Sequence, residues 1–302
     1  MLRTDLCDLV GIDVPVIEAG MSIFTSPGLA AAVSNAGGLG SLGAWRRPAD
    51  QLRREINELR DTTGRPFALN HVVPDLDPAG FELTLELAPA VVSFALDDGG
   101  ELMKRVHDAG SLVMQQITTV QQAAVAAERG ADIIVAQGGE AGGYGGSVAT
   151  LALVPQVVDA VRPVPVVAAG GMADGRGLAA ALVLGAAGVN LGTRFLASQE
   201  SPIGQTCRGR HRNRATARGP ASSLLNARGA RRVNTRTTPQ PPGFRNGGGD
   251  PIELEFLRRE LKRRDRDGNA PEELWPRIEP AVSGRLRRVA EAVRADWHGG
   301  GC

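Results

Sequence analysis

Eight short apolar runs, separated by alanine-rich segments of helical period, occupy the first 200 residues of this chain. Several runs are rich in valine and isoleucine and show little alternation of polar and apolar residues, which is typical of strands buried on both faces. Strands that alternate with helices in this way predict a parallel sheet, because each helix carries the chain back across the sheet. The candidate strands are Val14 to Glu18, Leu39 to Leu42, Phe67 to His71, Val91 to Phe94, Leu112 to Ile117, Ile133 to Gln137, Val164 to Ala169 and Gly188 to Leu191.

Residues that start and stop helices mark the segments between these runs. Ser26 and Pro27 fit an N-cap and a first helical residue, and Gly37 fits the end of that helix. Thr118 or Thr119 opens a later helix in the same way. Eight strand and helix units in about 200 residues are compact but feasible for a barrel, which typically has ~250. We therefore predict an α/β fold, a (β/α)8 TIM barrel, with an open doubly wound sheet as the alternative.

The composition changes after the eighth apolar run and divides the chain into three segments. Residues 1–202 form the predicted barrel. Residues 203–250 are rich in Arg, Gly and Pro, because ten arginines and no lysine or acid lie between Glu200 and Asp250. A segment with so few apolar residues and charge of one sign predicts disorder. Residues 251–302 regain helical periodicity, and we expect a small helical tail that packs on the barrel or on a partner chain in a homodimer.

The overall charge and the cysteines restrict the classes of function. The formal net charge is +1, from 34 basic and 33 acidic residues, which favours neither nucleic acid nor an anionic membrane as a partner. Cys7, Cys207 and Cys302 are scattered and far from metal-ligand spacing, which indicates a reducing compartment and no metal site. No apolar run approaches the 18 residues of a membrane span. We therefore expect a cytoplasmic protein.

Two glycine-containing turns follow the last two predicted strands. Gly170 and Gly171 come after the seventh strand, and Gly192 with Thr193 come after the eighth. In (β/α)8 barrels the loops at these two positions commonly hold a phosphate through backbone N–H groups. Either pair alone could simply form a tight turn, which is the alternative interpretation. The placement of both pairs after neighbouring strands favours a phosphate site.

Three further stretches place polar or flexible residues at strand ends. The segment 134–146 ends the sixth strand with six glycines, one acid and the phenol of Tyr144, and a plain flexible loop is its alternative interpretation. Gly20 and Met21 follow the first strand, where the backbone can lie beside a flat ring. Asn70 ends the third strand with an amide that can pair with a heterocycle.

These four stretches, in this order and spacing, resemble the nitronate monooxygenase family over roughly residues 10–201. The resemblance implies non-covalent FMN, with the phosphate near Gly170 and Gly171 and at residues 190–193. The implied phosphate contacts in that last range are Asn190, Leu191, Gly192 and Thr193. The implied contacts of the isoalloxazine ring are Gly20, Met21, Asn70, Gln137, Gly142 and Gly143.

The resemblance also implies an activity, the oxidation of small alkyl nitronates by molecular oxygen to a carbonyl compound and nitrite. Flavin-type enoyl-acyl-carrier-protein reductases are a related branch, so an NAD(P)H-dependent reductase of the enoyl or quinone type is an alternative. A flavin-binding protein that has lost catalysis is a second alternative. The family's catalytic histidine position holds Tyr144 here, and the common Ala-Pro-Met holds Ala19, Gly20 and Met21. A phenol with a pKa near 10 is a poor base but can donate a hydrogen bond.

Other polar residues have simpler interpretations. His71 follows Asn70 and points to the opposite side of the strand, so we expect a packed or surface histidine. His107 lies beside Asp108 on a predicted helix, where a solvated position is expected. Glu140 either orders its glycine-rich loop or binds a polar group of the substrate.

Overall fold

A computed structural model describes residues 3–143 and 145–203, and in these ranges eight parallel strands alternate with helices. The prediction of a (β/α)8 barrel is confirmed. The strands are β1 (Val16–Glu18), β2 (Gly40–Gly43), β3 (Phe67–Val72), β4 (Val91–Ala95), β5 (Leu112–Ile117), β6 (Ile133–Gln137), β7 (Val166–Ala169) and β8 (Gly188–Leu191). The helices are α1 (Asp5–Val10), α2 (Pro27–Asn35), α3 (Ala49–Thr62), α4 (Pro78–Leu87), α5 (Glu101–Asp108), α6 (Val120–Glu128), α7 (Thr150–Val161), α8 (Gly175–Val183) and α9 (Thr193–Leu196).

The predicted helix starts are found at two places. The side chain of Ser26 accepts a hydrogen bond from Leu29 N, and Pro27 is the first residue of α2. Thr119, rather than Thr118, caps α6 by accepting from Gln122 N. Each cap satisfies a backbone N–H that has no partner inside the helix.

Residues 204–302 lie outside the described ranges, and with them lie the predicted helical tail and nearly all of the predicted arginine-rich segment. In the described part, β8 is followed only by α9, which has four residues. No helix within residues 3–143 and 145–203 has the length and hydropathy to cross a membrane.

The sheet runs in the order β1-β8-β7-β6-β5-β4-β3-β2, so β1 and β2 meet to close the barrel. Their seam has a single backbone bridge, between Ile17 and Leu39. Beyond the bridge, the Glu18 side chain takes the place of a strand acceptor, because its Oε2 accepts a hydrogen bond from Ser41 N at 3.0 Å. A carboxyl group thus continues the seam where the two backbones separate.

Two apolar regions pack on the two faces of this sheet. Inside the barrel, strand residues such as Ile17, Ala68 and Val167 pack with Leu6 and Cys7 of α1, which closes the bottom of the barrel. Outside, the alternate strand residues pack against the surrounding helices. The helices cover the outer face and α1 fills the N-terminal end of the barrel, so a site in the barrel is expected at the C-terminal ends of the strands.

Candidate functional site

The inner face of the barrel changes from apolar to polar near the C-terminal ends of the strands. Side chains two residues apart on a strand share a face. Ala68, Met114 and Val135 belong to the inner apolar core, so the residues two positions later also face inward. The inward polar residues at this level are Ser41, Asn70, Ser93, Gln116, Gln137 and Asn190. We call these six residues the amide layer, although two of them carry hydroxyls.

Hydrogen bonds connect most of the amide layer. Asn70 Nδ2 donates to Ser93 Oγ at 2.6 Å. Gln116 Nε2 donates to Gln137 Oε1 at 2.6 Å, and Gln137 Nε2 donates to Gly142 O at 2.9 Å. The structure therefore joins the predicted residues Gln137 and Gly142 directly, and Gln137 ties the loop after β6 to the barrel.

Two polar atoms of the amide layer have no hydrogen-bond partner in the described part of the chain. These atoms are Asn190 Oδ1 and Ser41 Oγ, and both are buried. Buried polar atoms are rarely left unpaired, so an orphaned acceptor at a cavity indicates a missing ligand group or water. Uncharged amides beneath glycine-containing loops fit a flat, neutral ring with hydrogen-bonding edges, as a flavin ring is.

The turn after β1 lies against both the amide layer and the loop after β8. A Cβ on Gly20 would stand 2.3 Å from Asn70 Cβ and 2.3 Å from Asn70 Cγ, so only glycine fits beside this asparagine. A Cβ on Gly192 would stand 3.4 Å from Met21 Sδ. Four predicted residues from three separate segments, the turn after β1, strand β3 and the loop after β8, are thereby brought together. The Asn70 side chain explains why a glycine stands at position 20.

The loops after β6 and β7 also touch each other. Gly170 and Gly171 have positive φ angles of 117° and 74°. A Cβ on Gly170 would stand 2.7 Å from Thr150 Oγ1 and 2.8 Å from Ala141 N, so the two loops meet over Thr150. The exposed Gly171 lies next to Glu140, because a Cβ added to Gly171 would stand 3.5 Å from Glu140 Cβ.

The structure decides between the two interpretations of Glu140 in favour of ordering the loop. Glu140 Oε2 accepts hydrogen bonds from Thr150 N and Thr150 Oγ1, each at 2.8 Å. Partial burial opposes ionisation of Glu140, but the hydrogen bonds from Thr150 outweigh it and lower the pKa of this carboxyl. The carboxylate also lies at the N-terminus of α7, where negative charge is favourable.

The remaining predicted contacts differ in what they can offer. Gly142 and Gly143 have open space where a Cβ would project. Leu191 packs its side chain on the outer core, so only its backbone is available at the site. Thr193 begins α9 directly after Gly192. Tyr144, the predicted catalytic residue, lies outside the described residues.

The inward positions of β1 to β8 carry no titratable side chain. His71 faces away from the interior, as predicted, and its Nε2 lies 2.9 Å from Thr84 Oγ1. Burial lowers the pKa of His71 to about 4, which makes it a neutral packing residue. His107 is half-exposed, and its partner is Asp132 at 2.9 Å rather than the neighbouring Asp108. Within the described residues, no cluster of His, Cys, Asp or Glu could hold a metal ion.

Sequence reasoning missed three residues of this region, namely Gln116, Ser93 and Thr150. Gln116 and Gln137 also line a cleft of about 470 Å³ between the end of β5 and α6, which has room for a small organic molecule. Counting inward positions along each strand from its apolar residues would have identified Gln116 and Ser93. Thr150 had no comparable signal, because its contacts come from two separate loops.

Comparison with known proteins relates this chain to one family. The model of the family described as nitronate monooxygenase matches residues 3–82 and 77–241. A probable nitronate monooxygenase of Staphylococcus aureus is 34% identical over 283 residues, covering 78% of this chain and 79% of the relative.

A higher identity is found with a dehydrogenase of Rhodococcus jostii, (3aS,4S,5R,7aS)-5-hydroxy-7a-methyl-1-oxo-octahydro-1H-indene-4-carboxyl-CoA dehydrogenase. It is 45% identical over 203 residues, which are 67% of this chain, and the chain spans only 57% of that relative's length. Among solved structures, FabK from Thermotoga maritima is similar with a TM-score of 0.67 and 38% identity, covering 69% of this chain and 67% of FabK.

Proposed function

Because the chain belongs to the nitronate monooxygenase family, we propose that it binds FMN at the C-terminal end of the barrel and works as an oxidoreductase on a small carbon acid. The observation that carries the proposal is the amide layer, which places neutral carboxamides and the buried, orphaned Asn190 Oδ1 near the C-terminal ends of the strands. A flavin ring offers the matching pattern of hydrogen-bonding edges on a flat, uncharged body.

The phosphate of FMN would be held by backbone N–H groups at Gly171 and Gly192 and by the hydroxyl of Thr193. Gly171 supports this placement because it is exposed, has positive φ and has no side chain to block an anion. Replacing Gly171 with Asp should expel the flavin, because a carboxylate repels a phosphate and blocks its approach. Undiminished flavin content in Gly171→Asp would refute this part of the proposal.

Bound FMN supplies electron transfer, while the protein supplies position and electrostatics. We propose that the substrate is an alkyl nitronate and the electron acceptor is molecular oxygen. The inward strand positions provide no base, and Glu140 is held by Thr150 with a lowered pKa, so neither is suited to remove a carbon proton. A substrate that arrives already ionised, as a nitronate does, needs no such base.

The cofactor is tested first by the visible spectrum of the purified protein. Released flavin should then be identified as FMN by mass after denaturation. Anaerobic mixing with a nitronate should bleach the flavin absorbance, and readmitted oxygen should restore it with formation of nitrite. A colourless protein that does not take up added FMN would contradict the proposal.

A dehydrogenase acting on an acyl-CoA is the second candidate, favoured by the 45% identity to the Rhodococcus jostii enzyme. An NAD(P)H-dependent reductase of the enoyl or quinone type is a third. The same anaerobic experiment separates them, because bleaching by an acyl-CoA, by NADH or by NADPH identifies the electron donor. A bound flavin that none of these donors reduces would leave a flavin-binding protein without catalysis.

A further inference from the structure

Arg47 is a buried arginine outside the amide layer, and its guanidinium contacts the loop after β1. It lies between β2 and α3 with only 6% of its surface exposed. Its Nη1 donates to Ser22 O at 2.8 Å and its Nη2 donates to Thr25 O at 2.6 Å. Nη1 also donates to Gly43 O, and Nε donates to Glu55 Oε2 at 2.6 Å. One side chain therefore binds three backbone carbonyls and one carboxylate.

The three carbonyls belong to two segments that meet at the barrel mouth. Ser22 and Thr25 lie in the loop after β1, and Gly43 is the last residue of β2. Thr25 Oγ1 donates to Ser22 O at 2.8 Å and accepts from Gly43 N at 2.9 Å. A Cβ on Gly43 would stand 2.7 Å from Ser22 Cα, so the two backbones are in direct contact.

The loop held in this way has a backbone conformation that needs support. Ser22 has a φ of 56°, in the left-handed region that costs free energy for a residue with a side chain. Met21, which lies against Gly192 in the loop after the neighbouring strand β8, immediately precedes it. Any change in the Ser22 backbone is thus transmitted to Met21 and to the contact between the loops after β1 and β8.

We infer that Arg47 is a positioning residue for the flavin site, and that it acts by holding the turn of Gly20 and Met21 in the conformation that receives the ring. The inference rests on the proposed flavin binding. Burying a guanidinium is costly unless its N–H groups are paired. Here three of the four partners are backbone carbonyls, and two of these, Ser22 O and Thr25 O, lie in the loop after β1. Arginine suits this task because its planar fork presents five donors in fixed directions, whereas lysine presents a single ammonium.

The first experiment measures the flavin dissociation constant of Arg47→Lys and Arg47→Met against the parent chain. We expect each variant to weaken flavin binding by about tenfold or more and to shift the visible absorption bands, because Met21 loses its fixed position. Arg53→Lys is the matched control, since the ion pair of Arg53 on α3 within the described residues is with the exposed Glu86. It should leave both measurements unchanged. Parental affinity and spectrum in Arg47→Lys would overturn the inference.

A double-mutant cycle with Met21→Ala tests the route of action. If Arg47 acts through the Met21 turn, Arg47→Lys should weaken flavin binding much less in the Met21→Ala background than in the parent. If Arg47→Lys weakens flavin binding by the same factor in both backgrounds, Arg47 serves only general stability.

Thr25 provides a second test that leaves the buried charge in place if the Arg47 variants do not fold. Thr25→Val removes both hydrogen bonds of Oγ1, whereas Thr25→Ser keeps them. Thr25→Val should weaken flavin binding, whereas Thr25→Ser should bind flavin with the affinity of the parent chain. Identical affinities in this pair would count against a held turn.

Hydrogen exchange in the flavin-free protein separates failure of this inference from failure of the proposed function. Arg47→Lys should speed exchange at Phe24, Thr25 and Gly43, whose N–H groups bond within this network, but not at β6. A parent chain that binds no flavin would refute the proposed function, and the exchange result would still decide whether Arg47 holds the turn. Unchanged exchange at all three amides would refute the inference by itself.

Discussion

The lower and upper halves of the barrel interior use the same strands for opposite purposes. On β5, Met114 belongs to the apolar inner core, and Gln116, two residues later on the same face, belongs to the amide layer. On β3, Ala68 and Asn70 show the same change. Two residues along a strand therefore separate a side chain that stabilises the fold from a side chain that presents hydrogen-bonding groups. Stability and binding can be altered separately, and each of the following variants tests that separation.

The largest effect is expected in the lower half, for Met114→Ala. Removing this buried side chain leaves a cavity, and the loss in unfolding free energy should be about 2 to 5 kcal/mol. Urea unfolding measures that loss, while the flavin content of the folded fraction should match the parent. A stable Met114→Ala protein that has lost its flavin would show that the two halves are not independent.

The seam between β1 and β2 gives the next effect, through Glu18. Burial raises the pKa of Glu18 to about 8, opposed by the hydrogen bond from Ser41 N, and Oε1 has no partner in the described part of the chain. The folded protein therefore keeps a proton that the unfolded chain releases near its ordinary pKa of 4.5. The contribution of protonated Glu18 to the free energy of unfolding is fully present below pH 4.5. It is lost as the pH rises to about 8, by at most ~1.4 kcal/mol per pH unit.

Glu18→Gln should remove this dependence, because an amide of the same shape does not titrate. Urea unfolding should be measured between pH 5 and pH 9. The free energy of unfolding of the variant should increase relative to that of the parent as the pH rises, with no further increase above about pH 8. Parallel stability curves for the two proteins would contradict a protonated Glu18. Flavin affinity should change little, because Glu18 accepts from the backbone N–H of Ser41 and not from a side chain of the amide layer.

A smaller effect, on turnover rather than stability, is predicted for Tyr144. Tyr144→Phe should reduce nitronate turnover by the value of one hydrogen bond to a charged group, on the order of 1.5 to 3 kcal/mol. Tyr144→His should gain oxidation of neutral nitroalkanes, because imidazole has a pKa nearer the working pH. If both variants match the parent on both substrates, Tyr144 is a structural loop residue.

The smallest effect is expected for Gln116→Leu, in the upper half of β5. The variant loses the hydrogen bond to Gln137, so its stability should fall by only about 0.5 to 1.5 kcal/mol. Its flavin absorption spectrum should nevertheless shift, because Gln137 and the loop at Gly142 are no longer fixed. Gln121→Leu, an exposed glutamine on the same cleft, is the control. A loss of stability as large as that of Met114→Ala would remove the distinction between the halves.

The sequence by itself determined the barrel and the bounds of several strands. The bounds of β5, β6 and β8 were predicted to the residue, because apolar runs with clear ends record burial directly. The first and seventh strands were predicted two residues too long at their start, at Val14 and Val164. In both cases a proline follows, Pro15 or Pro165, and its missing N–H keeps the strand from starting earlier.

The tertiary structure alone decided which polar residues meet. Glycines at strand ends were visible in the sequence, and the structure brings Gly20 to Asn70 and Met21 to Gly192. The pairing of Gln116 with Gln137 and the carbonyls held by Arg47 were not predicted. Apolar periodicity is a local signal, whereas a hydrogen bond between two strands depends on register and on side-chain direction. The spacing of residues along one segment determines neither the register nor the side-chain direction. The barrel could therefore be inferred from the sequence, whereas the hydrogen bonds between its strands could not.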